Sequence, residues 1–190
     1  LAYRDANKRK RLVKRAGFPV YKTFAGYEYK RVKFPAAFTK QDLEAGTFIT
    51  EKKNLVLYGP VGTGKTHMAI AVGVKACKEG LKTRFYTVTQ LVLKLAEARK
   101  LGTLERLIRE LQTLDLLILD EWAADQDPQF RRVFYETLLP LLQQQGCTVF
   151  AISHDDKYFH HAERIISMKH GLLSEYGAEE AVRVADEHSR

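Results

Sequence analysis

The segment GPVGTGKT at positions 59–66 constrains this chain more than any other feature. It satisfies the pattern G-x-x-x-x-G-K-[ST] in full. The apolar run NLVLYG at 54–59 leads into it and is typical of a β-strand, and a helical pattern from Lys65 to about Glu79 follows it. Strand, glycine-rich turn and helix in this order are the context in which the pattern forms a phosphate-binding loop. The sequence therefore predicts an α/β fold built around such a loop.

Each residue type in the loop has a chemical reason to be there. Glycines allow the backbone angles with which successive N–H groups converge on phosphate oxygens, and the helix N-terminus adds its dipole. Lys65 is expected to reach the β- and γ-phosphates, and the Thr66 hydroxyl is expected to bind Mg²⁺. ATP and Mg²⁺ are therefore the expected cofactors. The candidate nucleotide-binding residues are Gly59, Pro60, Val61, Gly62, Thr63, Gly64, Lys65, Thr66 and His67.

A second candidate element is LILDE at 117–121, an apolar run that ends in two acids. The carboxyl end of a buried strand lies at the edge of the sheet where the loop lies, so Asp120 is expected to hold Mg²⁺ through water. Glu121 is a candidate to orient or deprotonate the attacking water. The alternative is that both acids only solubilise a strand end, although burying them unpaired would be costly.

His154 follows the apolar run CTVFAIS at 147–153. The end of this strand is expected to face the γ-phosphate, so His154 could sense that group or hold the attacking water. Ser153 is an alternative for the same role, and a surface histidine without function is another. The predicted catalytic residues are therefore Lys65, Glu121 and His154.

Strands and helices alternate along the rest of the chain, with strands predicted at 83–88, 114–121, 147–153 and 164–168. Such alternation indicates a parallel sheet with helices on both faces, the P-loop NTPase architecture. A single helix is predicted at 129–145 with a kink at Pro140. We divide the chain into a basic arm and lead-in at 1–50, an ATPase domain at 51–175 and a polar tail at 176–190.

The net charge of +8 is unevenly distributed. Residues 1–40 contain twelve Lys and Arg but only two acids, so the remaining 150 residues carry a net charge of −2. Arg4, Lys8, Arg11 and Arg15 recur at helical spacing, and basic and aromatic residues follow in YKTFAGYEYKRVKF at 21–34. Basic side chains suit phosphate contact and aromatic ones suit base stacking, so the arm is a candidate DNA-binding element. The alternative is a solvated charged face.

Two further observations concern the cellular compartment. No apolar run approaches the length of about 18 residues that crosses a membrane, and no secretory leader is recognisable. Cys77 and Cys147 lack metal-ligand spacing and are expected to be buried apolar residues in a reducing compartment. A cytoplasmic protein is therefore expected.

Residues 11–121 resemble the IstB/DnaC-type AAA+ ATPases, the helper proteins of transposition and helicase loading. The resemblance rests on KRAGFPVYKTFAGYEY, on FITEKKNLVLYGPVGTGKTHMAIAVGVKACKEG and on RFYTVTQLVLKLAEA with LERLIRELQTLDLLILDE. It implies an ATPase that binds DNA, works with a transposase and forms ATP-dependent oligomers. An arginine finger would complete such a site, and Arg131, Arg132 and Arg164 are the candidates.

After Glu121 the chain instead resembles the end of an ABC exporter ATPase of the cyclic-peptide or siderophore export type. The resemblance rests on DEWAADQDPQFRRVFYETLLPLLQQQGCTVFAISHDDKYFHHAERIISMKHG, and it implies that Glu121 is the catalytic carboxylate and His154 the switch histidine. A hybrid joined inside LLILDE is therefore expected. Three functions remain open: an IstB-like transposition helper, an exporter nucleotide-binding domain fragment, and a nucleotide-dependent interaction module without efficient turnover.

Overall fold

The computed structural model describes residues 2–122, 128–153 and 162–176. The helices are α1 (Ala2–Ala16), α2 (Lys40–Ala45), α3 (Thr47–Thr50), α4 (Lys65–Lys78), α5 (Val88–Lys100), α6 (Leu104–Gln112), α7 (Pro128–Val133) and α8 (Leu139–Gln144). The strands are β1 (Leu55–Tyr58), β2 (Thr83–Thr87), β3 (Leu116–Trp122), β4 (Thr148–Ser153), β5 (Arg164–Lys169) and β6 (Leu172–Tyr176). Short 3₁₀ turns lie at Phe24–Gly26 and Tyr29–Arg31.

The strands form one sheet in the order β2-β3-β4-β1-β5-β6. The first five strands are mutually parallel, and β6 pairs antiparallel with β5. This arrangement confirms the predicted α/β P-loop NTPase fold. It also brings the carboxyl ends of β1, β3 and β4 together at one edge, because parallel strands all point the same way.

β6 is an element that the sequence analysis did not predict. It follows β5 through a two-residue turn in which His170 has φ +49° and Gly171 has φ +78°. Positive φ at both central residues is the geometry of the hairpin turns that match the natural twist of two antiparallel strands. The glycine is the local signal for this turn, and the histidine in front of it makes that signal weaker than Asn-Gly.

The helix predicted over 129–145 is interrupted in the structure. A π-helical segment, Phe134–Leu138, lies between α7 and α8, and the N–H of Leu139 donates to the carbonyl of Phe134, five residues back. Pro140 explains the irregularity, because it has no N–H and its ring crowds the carbonyl one turn earlier. The helix is disturbed just before Pro140 by a widened turn, and the predicted kink itself stays a prediction.

The lead-in, by which we mean residues 17–50 after α1, packs on the same core as the sheet. Phe38, Leu43 and Phe48 are at most 2% exposed and belong to the cluster that contains β1 and α4. The backbone of Lys33 donates to Gly171 at 2.7 Å and accepts from Leu173 at 2.8 Å, which ties the lead-in to the β5–β6 turn. The lead-in is thus attached both to the core and to the β5–β6 turn. The proposed domain boundaries at 50 and 175 stay predictions.

Some predicted features fall outside the described residues. These are His154 and the polar tail from residue 177 onward. Within the ranges that the structure describes, no helix combines the length and the apolar character needed to cross a membrane.

Candidate functional site

The glycine-rich loop connects the end of β1 to the start of α4, as the sequence predicts. Gly59 has φ +149°, and a Cβ built on it would lie 2.1 Å from the carbonyl oxygen of Met168 in β5. Gly62 and Gly64 have φ of +80° and +89°, in the left-handed region. The loop therefore needs glycine at 59 for space and at 62 and 64 for backbone conformation.

Lys65 is the first residue of α4 and is only 4% exposed. Its ammonium donates to the carbonyl of Pro60 at 2.5 Å and to the Thr63 hydroxyl at 3.0 Å. Burial lowers the pKa of Lys65, and the nearby Asp120 carboxylate opposes this effect. The amine is thus held against the loop, where a phosphate oxygen would compete for its protons.

Thr66 and Asp120 meet although they are 54 residues apart. The Thr66 hydroxyl donates to Oδ1 of Asp120 at 3.2 Å, and Asp120 is 6% exposed. Between Leu119 and Trp122, β3 has one more residue than β4 does across the same interval, which places a β-bulge at the two acids. A hydroxyl and a carboxylate side by side are oxygen donors of the kind that Mg²⁺ prefers, so the residues present fit this ion.

The structure describes only some of the residues that could orient or deprotonate the attacking water. Glu121 lies in β3, directly after Asp120. His154 lies outside the described residues. Its neighbour Ser153 ends β4 at 2% exposure and is in register with Tyr58 of β1 and Trp122 of β3. Ser153 is therefore placed between the two strands that carry the loop and the acids.

The remaining loop residues differ in exposure. Val61 is 83% exposed, and Pro60 contributes its carbonyl, which also accepts from the Thr63 hydroxyl at 2.9 Å. His67 lies in the first turn of α4, and its Nε2 is 3.1 Å from the carbonyl oxygen of Thr23 in the lead-in. His67 thus joins the loop helix to the lead-in.

Tyr27 also lies at this site, although no sequence motif predicts it there. Its ring packs edge-on against His67 with centroids 5.1 Å apart, and its hydroxyl lies 2.9 Å from where a Cβ on Gly64 would be. Burial raises the pKa of Tyr27. Tyr27 and Tyr29 are partly buried, and their rings pack on each other with centroids 4.8 Å apart, so base stacking by the lead-in aromatics stays a prediction. Nothing in the local sequence distinguishes the two roles.

Two arginine-finger candidates are placed by the structure. Arg164 opens β5 beside Leu55, at the sheet edge opposite the loop, where it pairs with Glu175 at 3.2 Å and stacks over Phe38. Arg164 would have to leave Glu175 and Phe38 to reach the site of a neighbouring subunit, and its role as a finger stays a prediction. Arg132 lies on α7, is exposed and pairs with Glu136 at 2.9 Å. Arg131 also lies on α7.

The arrangement combines a glycine-rich loop, a buried ammonium and an oxygen pair suited to a divalent cation. A protein-family model described as "IstB-like ATP binding protein" matches residues 1–167 of this chain. The chain belongs to the IstB-like ATP-binding protein family. Because one model runs from residue 1 to 167, the IstB-like resemblance extends well past Glu121, and the expected change of family inside LLILDE is not supported.

Three curated relatives illustrate the similarity. This chain is 34% identical over 109 residues to the insertion sequence IS21 putative ATP-binding protein of Pseudomonas aeruginosa, covering 57% of this chain and 41% of that protein. It is 30% identical over 153 residues to a putative insertion sequence ATP-binding protein of Sinorhizobium fredii, covering 80% and 51%. A 63-residue match at 52% identity to "ATP-binding protein SyrD" of Pseudomonas syringae covers 33% of this chain and 11% of that protein. The chain thus spans about half or less of the length of these relatives.

Solved structures show the same fold. DnaI superposes with a TM-score of 0.58 at 18% identity, covering 81% of this chain and 80% of that one. AMPPCP-bound DnaA from Aquifex aeolicus superposes with a TM-score of 0.57 at 20% identity, covering 73% and 43%. The IstB-like family and the DnaA/DnaI-like fold agree with the AAA+ resemblance seen in the sequence.

Proposed function

We propose that this chain is an ATPase subunit that binds Mg²⁺-ATP and acts on DNA as a helper of transposition. The observation that carries the proposal is the hydrogen bond between Thr66 and Asp120 beside the buried Lys65, because it assembles the parts of a nucleotide site from two distant segments. Membership of a family of ATP-binding proteins supports the nucleotide.

In the proposed site the loop binds the phosphates. The N–H groups of residues 61–66, which include the N-terminus of α4, face the β- and γ-phosphates, and Lys65 transfers its hydrogen bonds from Pro60 and Thr63 to phosphate oxygens. Thr66 and Asp120 are the residues that would hold Mg²⁺. The ion, when bound, neutralises charge that develops on the phosphate oxygens.

Hydrolysis requires a positioned water. Glu121 is the proposed base, since it follows Asp120 at the bulge, and a polar side chain at the end of β4 orients the water. Both Ser153 and His154 are proposed for that second task. Turnover by the isolated chain is expected to be slow, because an arginine supplied in trans contributes about 10³ to 10⁵ in rate in related enzymes.

The DNA-linked part of the proposal rests on the relatives and on the basic N-terminal helix. Several relatives are named as insertion sequence ATP-binding proteins. By analogy a transposase is the proposed protein partner, and ATP-dependent homo-oligomers are the proposed assembly. Such a role requires the cytoplasmic location expected from the sequence.

ATP turnover with and without duplex DNA tests the function. We expect slow turnover that DNA stimulates, loss of turnover with retained ATP binding in Glu121→Gln, and loss of ATP binding in Lys65→Ala. Full binding and turnover in Lys65→Ala would refute the site. ATP binding without turnover in the wild type would favour the nucleotide-dependent interaction module, and cooperative DNA-independent turnover would favour the exporter-type alternative.

A further inference from the structure

Helix α1 has an unusual charge for its length. Its fifteen residues include seven Lys and Arg against Asp5 as the one acid. All seven basic side chains are exposed, and none forms an ion pair with another described residue. Concentrated positive charge without internal neutralisation indicates a polyanionic partner.

Four of these side chains are aligned. Arg4, Lys8, Arg11 and Arg15 follow one another at intervals of four, three and four residues, so they occupy one face of the helix. At about 1.5 Å per residue the row is about 16 Å long. We call these four residues the basic row.

The structure fixes how the basic row is presented. The last turn of α1 is anchored because Ala16 is fully buried and Phe18 packs edge-on against Phe85 with centroids 6.1 Å apart. Leu12 and Val13 are partly buried on the docked side. The last two turns of the helix are therefore held in a defined orientation, with Leu12, Val13 and Ala16 turned toward the protein and the basic row exposed.

The row continues onto the body of the protein. Arg15 lines a cleft of about 230 Å³ together with Lys82, Thr83, Arg84, Glu110 and Thr113. Arg84 is paired with Glu110 at 2.9 Å, so these two charges compensate each other. The carboxylate of Asp115 accepts the backbone N–H of Lys82 at 2.8 Å and lies beside the cleft. The ammonium of Lys82 is exposed and extends the row beyond α1.

This surface is separate from the nucleotide site. Lys82 directly precedes Thr83, the first residue of β2, at the amino end of the strand. Asp120 pairs with Thr87 at the other end of the same strand. The cleft and the phosphate-binding loop therefore lie at opposite edges of the parallel sheet.

We propose that the basic row and Lys82 form a contact surface for the phosphate backbone of duplex DNA. The inference rests on the DNA-linked part of the proposed function and adds the surface that performs it. One DNA strand carries a phosphate about every 3.4 Å along the axis, so the four cations of the row face about five phosphates over about 16 Å, and Lys82 adds a fifth cation beyond the row. Contacts of this kind fix position without reading sequence.

The same charges are less suited to a membrane. Helices that bind anionic lipid present an apolar face beside the basic one and insert it. In α1 the apolar side chains Leu12 and Val13 pack toward the protein. Among the described residues of this helix, Tyr3 is the one large apolar side chain that is highly exposed, at 80%.

Duplex affinity as a function of salt tests the surface in the full chain. The test variant is Arg11→Gln/Arg15→Gln/Lys82→Gln. The matched control is Arg99→Gln/Lys100→Gln/Arg106→Gln, which removes the same charges from exposed positions on α5 and α6. ATP-analogue affinity and thermal unfolding of both variants show that each is folded.

We expect the slope of log affinity against log salt to fall by about 3 in the test variant, and by less than 1 in the control, for duplexes of unrelated sequence. Equal slopes in the two variants would overturn the surface while leaving DNA binding by the protein intact. Wild-type chain that fails to bind duplex at low salt would overturn both the surface and the DNA-linked function. Binding of anionic phospholipid vesicles with higher affinity than duplex would assign the surface to a membrane and overturn the proposal.

Discussion

The hydroxyl of Thr66, in the first turn of α4, donates to Oδ1 of Asp120, in β3, at 3.2 Å. The two strands that lead to these residues are not neighbours in the sheet, because β4 lies between β1 and β3. The contact forms because α4 packs over the sheet and begins at the edge where β3 ends. It joins the loop to the acidic strand end in one site.

The first prediction concerns this pair. Thr66→Val removes the hydroxyl and Asp120→Asn removes the carboxylate charge, and each is expected to weaken Mg²⁺-dependent ATP binding about 10- to 100-fold. Thr66→Ser keeps the hydroxyl and is expected to bind nearly as the wild type does. Titration with a fluorescent ATP analogue, in Mg²⁺ and in EDTA, measures the effect. An equal loss in both solutions would show that the pair does not act through the metal.

The second prediction separates two glycines of the loop. Gly59→Ala would place a Cβ 2.1 Å from the backbone oxygen of Met168, so the loop and β5 must separate, and we expect a loss of more than about 4 kcal/mol in the free energy of unfolding. Gly62→Ala meets no atom within 4 Å and carries only the strain of φ +80°, about 1 to 2 kcal/mol. Urea denaturation of both variants measures the difference. Similar losses would contradict the close approach at Gly59.

The third prediction concerns the contact that anchors α1. A Cβ on Gly73 of α4 would lie 2.7 Å from both the Phe18 ring and Cδ1 of Ile118. Gly73→Ala is expected to cost about 1 to 3 kcal/mol through overpacking, reduced by about 1 kcal/mol from better helix propensity. The cost should shrink in a Phe18→Leu background, where the crowding ring is absent. An unchanged cost in that background would show that Phe18 does not pack there.

The fourth prediction concerns the two buried thiols. Burial, together with Asp115, raises the pKa of Cys147 to about 12, and burial also raises the pKa of Cys77. Only the thiolate reacts rapidly with disulfide reagents, so both residues should be inert at pH 8 in the folded protein. They should react in 6 M urea, and the labelling rate at lower denaturant should follow unfolding. Fast labelling of the native protein would contradict the burial of the side chain that reacts.

Local signals predicted much of this protein from sequence. The strand–loop–helix unit, the apolar strands that carry Asp120 and Ser153 at or near their carboxyl ends, and the basic helix α1 all depend on neighbouring residues, and the structure confirms these elements. The disturbance at Pro140 was predictable for the same reason. β6 was missed because its turn signal is weak, and the π-helical form of the disturbance was missed because it depends on how the chain resumes after the proline.

The residue types of the candidate site could also be predicted from sequence, but the side chains that contact them could not. Tyr27 was assigned to an exposed arm, and the structure packs it against His67 and over Gly64. Arg164 is a finger candidate from sequence, and only the structure shows that it pairs with Glu175. Such contacts join segments far apart in the chain, and they cannot be predicted from periodicity or composition because both describe only local sequence.

By itself the sequence determined the chemistry: a lysine and a threonine behind three glycines, two acids after an apolar strand, and an excess of positive charge in the first forty residues. These follow from residue identity and local spacing, which suffice for secondary structure and for the ligand class. Only the tertiary structure decided that Thr66 reaches Asp120, that the lead-in covers the start of α4, and that the basic row lies at the sheet edge away from the nucleotide site. Those relationships depend on strand order and on how the helices pack over the sheet, and both are set by burial across the whole core.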